Sequence, residues 1–502
     1  MKPLRMLLFA TLVLCLALGV ASAQTWTRLT NSPPANVGAA LVLTDGTLLV
    51  HAEQQNSANW YRLTPDINGS YINGTWSQVA SLPSGYAPLY FASAVLPDGR
   101  VAVEGGEYNN LQAQWTNKGA VWDPTVNAPQ GQWTTVSPPS GWGNIGDAQS
   151  VILTNGQFML ANCCSKQQAI ADKNYVPTWT STGAGKFDEN DEEGWTLLPG
   201  GKVLTVDAYV NSYNGTGTNS EIYDPNSGAW TTAGSTIVQL WDSANGCGGQ
   251  GSASYEEGPM VLMPNGTVFA NGANRCGAGH TSVYNVSAGT WTAGPDYGCS
   301  GCPSNLDTAD APAVLLTTGN VLVMTSPGVF GNGAIFFEWD GTKLNHVPGP
   351  PNAPSDSSFV GHLLMLPTGQ VLFTDFSNDV EVYTPSGNVL TNLAPSALLT
   401  QAVLARGSSF TLFGYKFNGA SQTVAYGDDY QAATNYPIVR ITNKSSGHVF
   451  YCRTHGHSTM AVGYPGPTYT TLQVPSNMET GASYLEVVAN GIPSTKYPIA
   501  IQ

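Results

Sequence analysis

Four carboxylates stand at the same place in successive copies of a repeated pattern. Seven segments share an apolar stretch broken by a turn glycine: LTDGTLLV (Gly46), LPDGRVAV (Gly99), LTNGQFML (Gly156), LPGGKVLT (Gly201), MPNGTVFA (Gly266), TTGNVLVM (Gly319) and LPTGQVLF (Gly369). Nine residues upstream of these glycines stand Val37, Tyr90, Asp147, Glu192, Glu257, Asp310 and Val360. Glu193 and Glu256 adjoin two of the acids. If the copies surround an axis, Asp147, Glu192, Glu257 and Asp310 converge on one mouth, whatever their separation in the chain. Confined carboxylates repel, which raises some of their pKa values. Such a ring can hold a hard cation such as Ca²⁺, which takes several oxygen ligands. It can hydrogen-bond sugar hydroxyls, with Trp or Tyr on the loops stacking on the rings. It can also supply an acid/base pair for hydrolysis. A plainer reading has each acid cap local loop amides, recurring because the segment recurs.

The elements that would position these acids are short strands. Residues 192–234 read as one sheet unit. Trp195–Leu198 is an apolar run, Pro199-Gly200-Gly201 a tight turn, and Lys202–Val206 an alternating strand. Glu221–Pro225 and Ala229–Thr232 follow, joined by a Ser-Gly turn. Tyr223 and Trp230 can pack the unit against a neighbouring copy. The hairpin glycines recur at intervals between 45 residues (156 to 201) and 65 residues (201 to 266). Four strands at such a period predict a β-propeller of seven blades. The segment Thr25–Leu29 resembles a fourth strand without its own blade, and the last unit, 363–393, lacks one. The N-terminal strand is expected to complete that unit and remove an open sheet edge. Beyond about residue 395 the pattern changes to longer alternating strands (Ser408–Gly414, Thr468–Val474, Ser483–Ala489, Lys496–Ile501), predicting an immunoglobulin-like β-sandwich over 396–502.

Residues 1–23 read as a cleavable export signal: Lys2 and Arg5, an apolar core over Met6–Val20, and Ala21-Ser22-Ala23 before Gln24. No later run has the roughly 20 apolar residues of a spanning helix, so a secreted or periplasmic location is expected. The chain has 18 basic and 33 acidic residues. Without Lys2 and Arg5 the balance is 16 against 33, a net of −17. That excludes a basic face for nucleic acid and suits a cation, a neutral sugar or a basic partner. In an oxidising compartment Cys299–Cys302 and Cys247–Cys276 are expected to pair. Cys163-Cys164 form a vicinal bond or pair elsewhere, and Cys452 is the expected free thiol. Three histidines stand out: His362 at the start of the last unit's inner strand, and His455 and His457 in a C-terminal loop.

The third and fourth strands, VWDP…GQWTTV over 121–136 and VYNVSAGTWTAG over 283–294, resemble kelch repeats. The whole arrangement resembles the galactose oxidase and glyoxal oxidase family: signal, seven-bladed propeller over 24–395, C-terminal sandwich. In that family copper is held beside a Tyr–Cys radical. By hairpin register the cross-linked Cys falls on Phe91, its Tyr on Asp147 and the axial Tyr on Gly361. Only His362 and the Thr454-His455 motif match, with His457 as an alternative. The resemblance therefore implies the architecture without the copper radical, and leaves these histidines as candidate metal ligands. A closer likeness is to secreted bacterial kelch-repeat proteins sharing the stretches Ala425–Asp429, Asn435–Arg440 and Val449–Met460; it implies fold and export. Asp428 and Asp429 read as loop caps. The sequence thus predicts an exported protein that binds a carbohydrate or cationic ligand at an acidic mouth. The alternatives are a metal-dependent carbohydrate-active enzyme and an adhesion module.

Overall fold

The structure, a computed structural model, describes residues 24–53, 57–172, 178–209, 217–242, 254–275, 277–399, 401–427 and 429–502. The signal read over 1–23, the Cys247–Cys276 pairing and Asp428 lie outside them.

Within these residues the chain is all-β and propeller-like. Seven antiparallel sheets each contain a run of four strands. In six of them the strands lie in chain order, as in Ala40–Val42, Leu48–His51, Trp60–Thr64 and Thr75–Gln78. The remaining sheet joins His362–Met365, Val371–Thr374 and Glu381–Thr384 to Thr25–Arg28, from the other end of the chain. At six of the seven junctions the first strands of neighbouring sheets lie side by side, including that between the last sheet and the first, so the series returns to its start.

Local chemistry explains the repetition. Each hairpin glycine has a positive φ, as at Gly99 (85°) and Gly369 (82°), where a Cβ would be strained. In four copies the residue before it is Asp or Asn, whose side chain accepts the N–H two positions on: Asp45, Asp98, Asn155 and Asn265, at 3.0–3.1 Å. The two inner strands of each sheet are buried on both faces, which accounts for their unbroken apolar character. Outer-strand tryptophans join the sheets. The indole N–H of Trp133 donates to Ala80 O, that of Trp179 to Ser137 O, and that of Trp291 to Ser220 Oγ, each at 2.9 Å. Trp26 on the N-terminal strand donates to Pro348 O at 2.6 Å. Each such bond contributes on the order of 1 kcal/mol beyond the area its ring buries.

The C-terminal region forms one nine-stranded sheet that folds over its own core. The strand Val449–His455 serves both halves, pairing through 449–452 with Ile438–Asn443 and through 453–455 with Pro467–Gln473. Leu412 and Leu472 from one half meet Val439, Ile441, Leu485 and Val487 from the other. Cys452 is a buried free thiol in this core. Cys163–Cys164 and Cys299–Cys302 are disulfides.

Residues 421–427 and 429–436 leave this region and thread the centre of the ring. Val424–Ala425 pair with Val314 and Ala313. The Leu197 N–H donates to Gln422 Oε1 (2.8 Å), the Ser93 hydroxyl to Gln431 O (3.0 Å), Gln431 Nε2 to Ser150 O (3.3 Å) and the Tyr436 hydroxyl to Val42 O (2.5 Å). Tyr430 bonds Ala40 through its hydroxyl. One short segment thus ties inner strands from most of the ring and closes the channel.

Candidate acidic pocket over the plug

The plug has the ring's mouth above it, and a cavity of about 330 Å³ lies there. Three of the positions nine residues before a hairpin glycine point into it from left-handed backbone: Tyr90 (φ 51°), Glu192 (φ 58°) and Asp310 (φ 45°). Non-glycine residues are uncommon in this region, which costs on the order of 1–3 kcal/mol each and occurs most often at functional sites. Here the chain turns sharply just before entering the inner strand. The Asp310 N–H donates to Glu257 O (3.1 Å), and the Glu107 N–H to Tyr90 O (2.9 Å). Asp147 also lines the cavity.

Glu257 does not. The structure puts Glu256 in the lining and Glu257 inside the first strand of its sheet, Glu257–Leu262, where it is 2% exposed. The cause is a register shift between Glu257 and Met260. An extra residue there displaces everything upstream by one and exchanges the two faces, so counting back from Gly266 lands one residue late. Burial holds the Glu257 carboxyl well above the ordinary carboxylate range, with Glu193 and Asp207 adding to it.

Oxygens of Glu192, Glu256 and Asp310 lie within 4.8 Å of one another. Glu107 and Asp429 bring further carboxylates, and among the described residues no Lys or Arg lines the cavity. Glu107, then burial, then Asp147 raise the Tyr108 phenol. Burial and the charges of Asp310, Glu53, Asp429 and Glu107 raise Tyr90 far above the usual phenol value. The apolar walls are Tyr90, Tyr108, Phe330, Phe359 and Tyr426. Phe330 meets Phe359 edge-on at 5.2 Å. The Tyr426 hydroxyl donates to Phe359 O at 2.6 Å, fixing the plug to the rim.

Tyr426 and Asp429 belong to the plug, and the register of the repeats carries no signal for them. Ala425–Asp429 reads in sequence as a capped loop, yet Gly427 passes so close to Asp310 that a Cβ would sit 2.5 Å from its Oδ1. Glu107 was missed for a related reason: it follows the second strand of its unit instead of preceding the first.

The histidines separate. His362 is 5% exposed beneath the cavity, its ring stacked on Tyr426 (5.1 Å) and edge-on to Tyr430 (4.9 Å). Burial pushes it down to about 4 against the charge of Glu53 and a backbone hydrogen bond with Val360, so the ring is neutral. Its Nδ1 has no hydrogen-bond partner. His362 lines a void of about 10 Å³ together with Tyr90, Asp429 and Glu53. Burial alone would raise Glu53, but the bond to His51 Nδ1 (2.7 Å) and the charge of that ring bring it below its usual value. His455 lies on the strand of the C-terminal sheet that runs to residue 455, and His457 is half-buried, its ring stacked on Tyr436 and its Nδ1 bonded to Thr470 Oγ1. Among the described residues no group of His, Cys, Asp and Glu at metal-ligating spacing includes any of these three histidines. With Phe91, Asp147 and Gly361 at the oxidases' Cys and Tyr positions, the residues do not fit a copper-radical site.

No family model matches the chain, and no curated protein matches it by sequence. Among solved structures, the extracellular domain of a protein described as a hybrid two-component system from B. thetaiotaomicron aligns at a TM-score of 0.45 and 11% identity, over 96% of this chain and 59% of that one. This chain therefore spans about three fifths of that structure. Virginiamycin B lyase from Staphylococcus aureus aligns at 0.44 and 9%, over 72% and 99% of the two chains. A streptogramin B lyase aligns at 0.46 and 8%, over 72% and 98%. At these values the alignments say nothing of the pocket's chemistry.

Proposed function

We propose that this chain is an exported binding protein: a seven-bladed β-propeller over 24–395, closed by its N-terminal strand, followed by an immunoglobulin-like sandwich whose segment 421–436 plugs the channel and floors a ligand pocket. The ligand is a small molecule carrying positive charge, held by Glu192, Glu256 and Asp310, with Asp147, Glu107 and Asp429 around them. The observation that carries this reading is the cavity's lining. Residues from several sheets and from the plug converge on one space of about 330 Å³, with aromatic walls and carboxylates as its only charged groups among the described residues. That volume lies at the lower end of the roughly 300–1,000 Å³ typical of small-molecule sites. A carboxylate-lined mouth favours a cation over a neutral sugar, because a carboxylate only accepts hydrogen bonds and a sugar's own acceptors would go unmet.

The test is a thermal-shift panel of metal salts, amines and mono- and disaccharides against the wild type and Glu192→Gln/Asp310→Asn. At least one cationic compound should raise the wild-type melting temperature and leave the variant's unchanged. A panel in which nothing shifts the wild type, or in which the variant responds equally, would sink the reading.

A further inference from the structure

We propose that the Cys299–Cys302 disulfide is redox-active: it takes two electrons from a dithiol substrate by thiol–disulfide exchange, with His346 stabilising the thiolate that departs. This goes beyond the binding reading, and none of these residues lines the acidic pocket. The first observation is access. Cys299 and Cys302 sit in a turn closed by the Cys302 N–H, which donates to Cys299 O at 3.1 Å. Both are half-buried, while Gly298, Ser300, Gly301, Pro303 and Ser304 around them are exposed. A Cβ added at Gly298 or Gly301 would meet no atom within 4 Å. The loop therefore borders open space, and a bulky thiol meets no wall there.

The second observation is the histidine. His346 lies on Leu344–Val347, the outer strand of the next sheet. Strand pairing sets it opposite Phe337, whose ring lies 5.8 Å from the imidazole and 5.3 Å from Tyr297. An imidazole nitrogen and both Sγ atoms come within 4.8 Å of one another. A positive charge beside a cysteine favours its thiolate, which is the better leaving group and the reactive form. The third observation is a contrast within the molecule. Cys163 is 2% exposed, and its Sγ lies 3.5 Å from Asp191 Oδ1. Burial and negative charge both oppose a thiolate at Cys163–Cys164. Cys452 lies in the C-terminal core, where burial pushes its thiol far above the usual value. Among the described residues, Cys299 and Cys302 are the cysteines grouped with a histidine.

In the exchange, one substrate thiolate attacks a sulfur of the disulfide. The S–S bond breaks, and the other cysteine leaves as a thiolate beside His346. The substrate's second thiol then displaces the first cysteine from the mixed disulfide. The substrate ends as a disulfide, Cys299 and Cys302 end as thiols carrying its two protons, and two electrons have passed to the protein.

Dithiothreitol is the probe, with Cys299–Cys302 and Cys163–Cys164 followed separately in the purified protein by alkylation and peptide mass spectrometry. It should reduce Cys299–Cys302 roughly tenfold or more faster than Cys163–Cys164. At equilibrium with mixtures of reduced and oxidised dithiothreitol, His346→Ala should shift Cys299–Cys302 several-fold toward the disulfide. It should slow iodoacetamide alkylation of the reduced pair at pH 7 by a similar factor. His346→Lys, which keeps a positive charge, should restore most of both. Circular dichroism and melting temperature identical to the wild type would show that the variants are folded. Reduction of Cys299–Cys302 no faster than that of Cys163–Cys164 would overturn the proposal. So would an equilibrium and an alkylation rate that His346→Ala leaves unchanged. Neither result bears on the acidic pocket, whose own test is the thermal-shift panel.

Discussion

Glu192 and Glu193 are neighbours in the chain and belong to opposite kinds of acidic site. Glu192 turns into the open pocket from left-handed backbone. Glu193 turns inward, fully buried, to Lys186. The Lys186 Nζ lies 2.7 Å from Glu193, 2.5 Å from Glu221 and 3.7 Å from Asp207, with Asp188 also acting on it. Burial opposes the charge on Lys186, but the surrounding acids overcome it and raise its pKa. The inner cluster therefore carries its own cation and is sealed. The pocket has carboxylates, ring faces and space, and no Lys or Arg among its described lining residues. The difference separates acids sealed inside a sheet from acids that line a cavity.

The largest expected effect comes from taking the inner cation away. Lys186→Met leaves several carboxylates buried around a methyl group and should cost about 3–5 kcal/mol in urea unfolding. Burial, then the neighbouring acids, already hold Asp207 and Glu193 well above their ordinary pKa, with Lys186 pulling the other way. A carboxyl whose folded pKa is raised stabilises below its unfolded pKa and loses that contribution as the pH rises. The variant should therefore recover part of its loss near pH 4–5. A loss that is independent of pH would contradict the cluster's self-neutralising character.

The pocket's floor has the opposite pH signature. His362 titrates at about 4 in the folded protein against 6.5 unperturbed. A depressed folded pKa gives stability that is complete above about pH 6.5 and lost as the pH falls toward 4, worth about 3 kcal/mol. His51, Glu53, Asp429, Tyr426 and Tyr430 surround it, so the readout is the difference between wild type and His362→Gln over pH 4–7. That difference should shrink on acidification. Tyr426→Leu should weaken the cationic compound found by thermal shift a few-fold, through loss of one ring face. Smallest is Tyr430→Phe, about 1 kcal/mol for the hydroxyl that bonds Ala40, measured by chemical denaturation, with little change in binding.

Much of this contrast was legible before the structure. The hairpin glycines mark each sheet because a left-handed turn needs them, and counting nine residues back finds Asp147, Glu192 and Asp310. The count fails at Glu257, because a bulge is invisible in an apolar run such as Gly258–Met263. It is silent on Glu107, which follows a strand instead of preceding one. Tyr426 and Asp429 were beyond reach for a topological reason. They enter the pocket from a segment more than a hundred residues after Asp310, and nothing local in Ala425–Asp429 says that it threads the ring. The separate fate of Glu192 and Glu193 depends on a single φ, and the pair EE in sequence does not reveal which side chain turns inward.

That pair provides the most direct measurement: affinity for the cationic compound found by thermal shift and urea midpoint, for wild type, Glu192→Gln and Glu193→Gln in one buffer. Glu192→Gln should lose roughly tenfold in affinity at an unchanged midpoint. Glu193→Gln should lower the midpoint by the equivalent of about 2 kcal/mol and, where folded, bind nearly as wild type. If Glu192→Gln unfolds at lower urea with its affinity intact, the outer acids are structural and the division between the two sites is wrong.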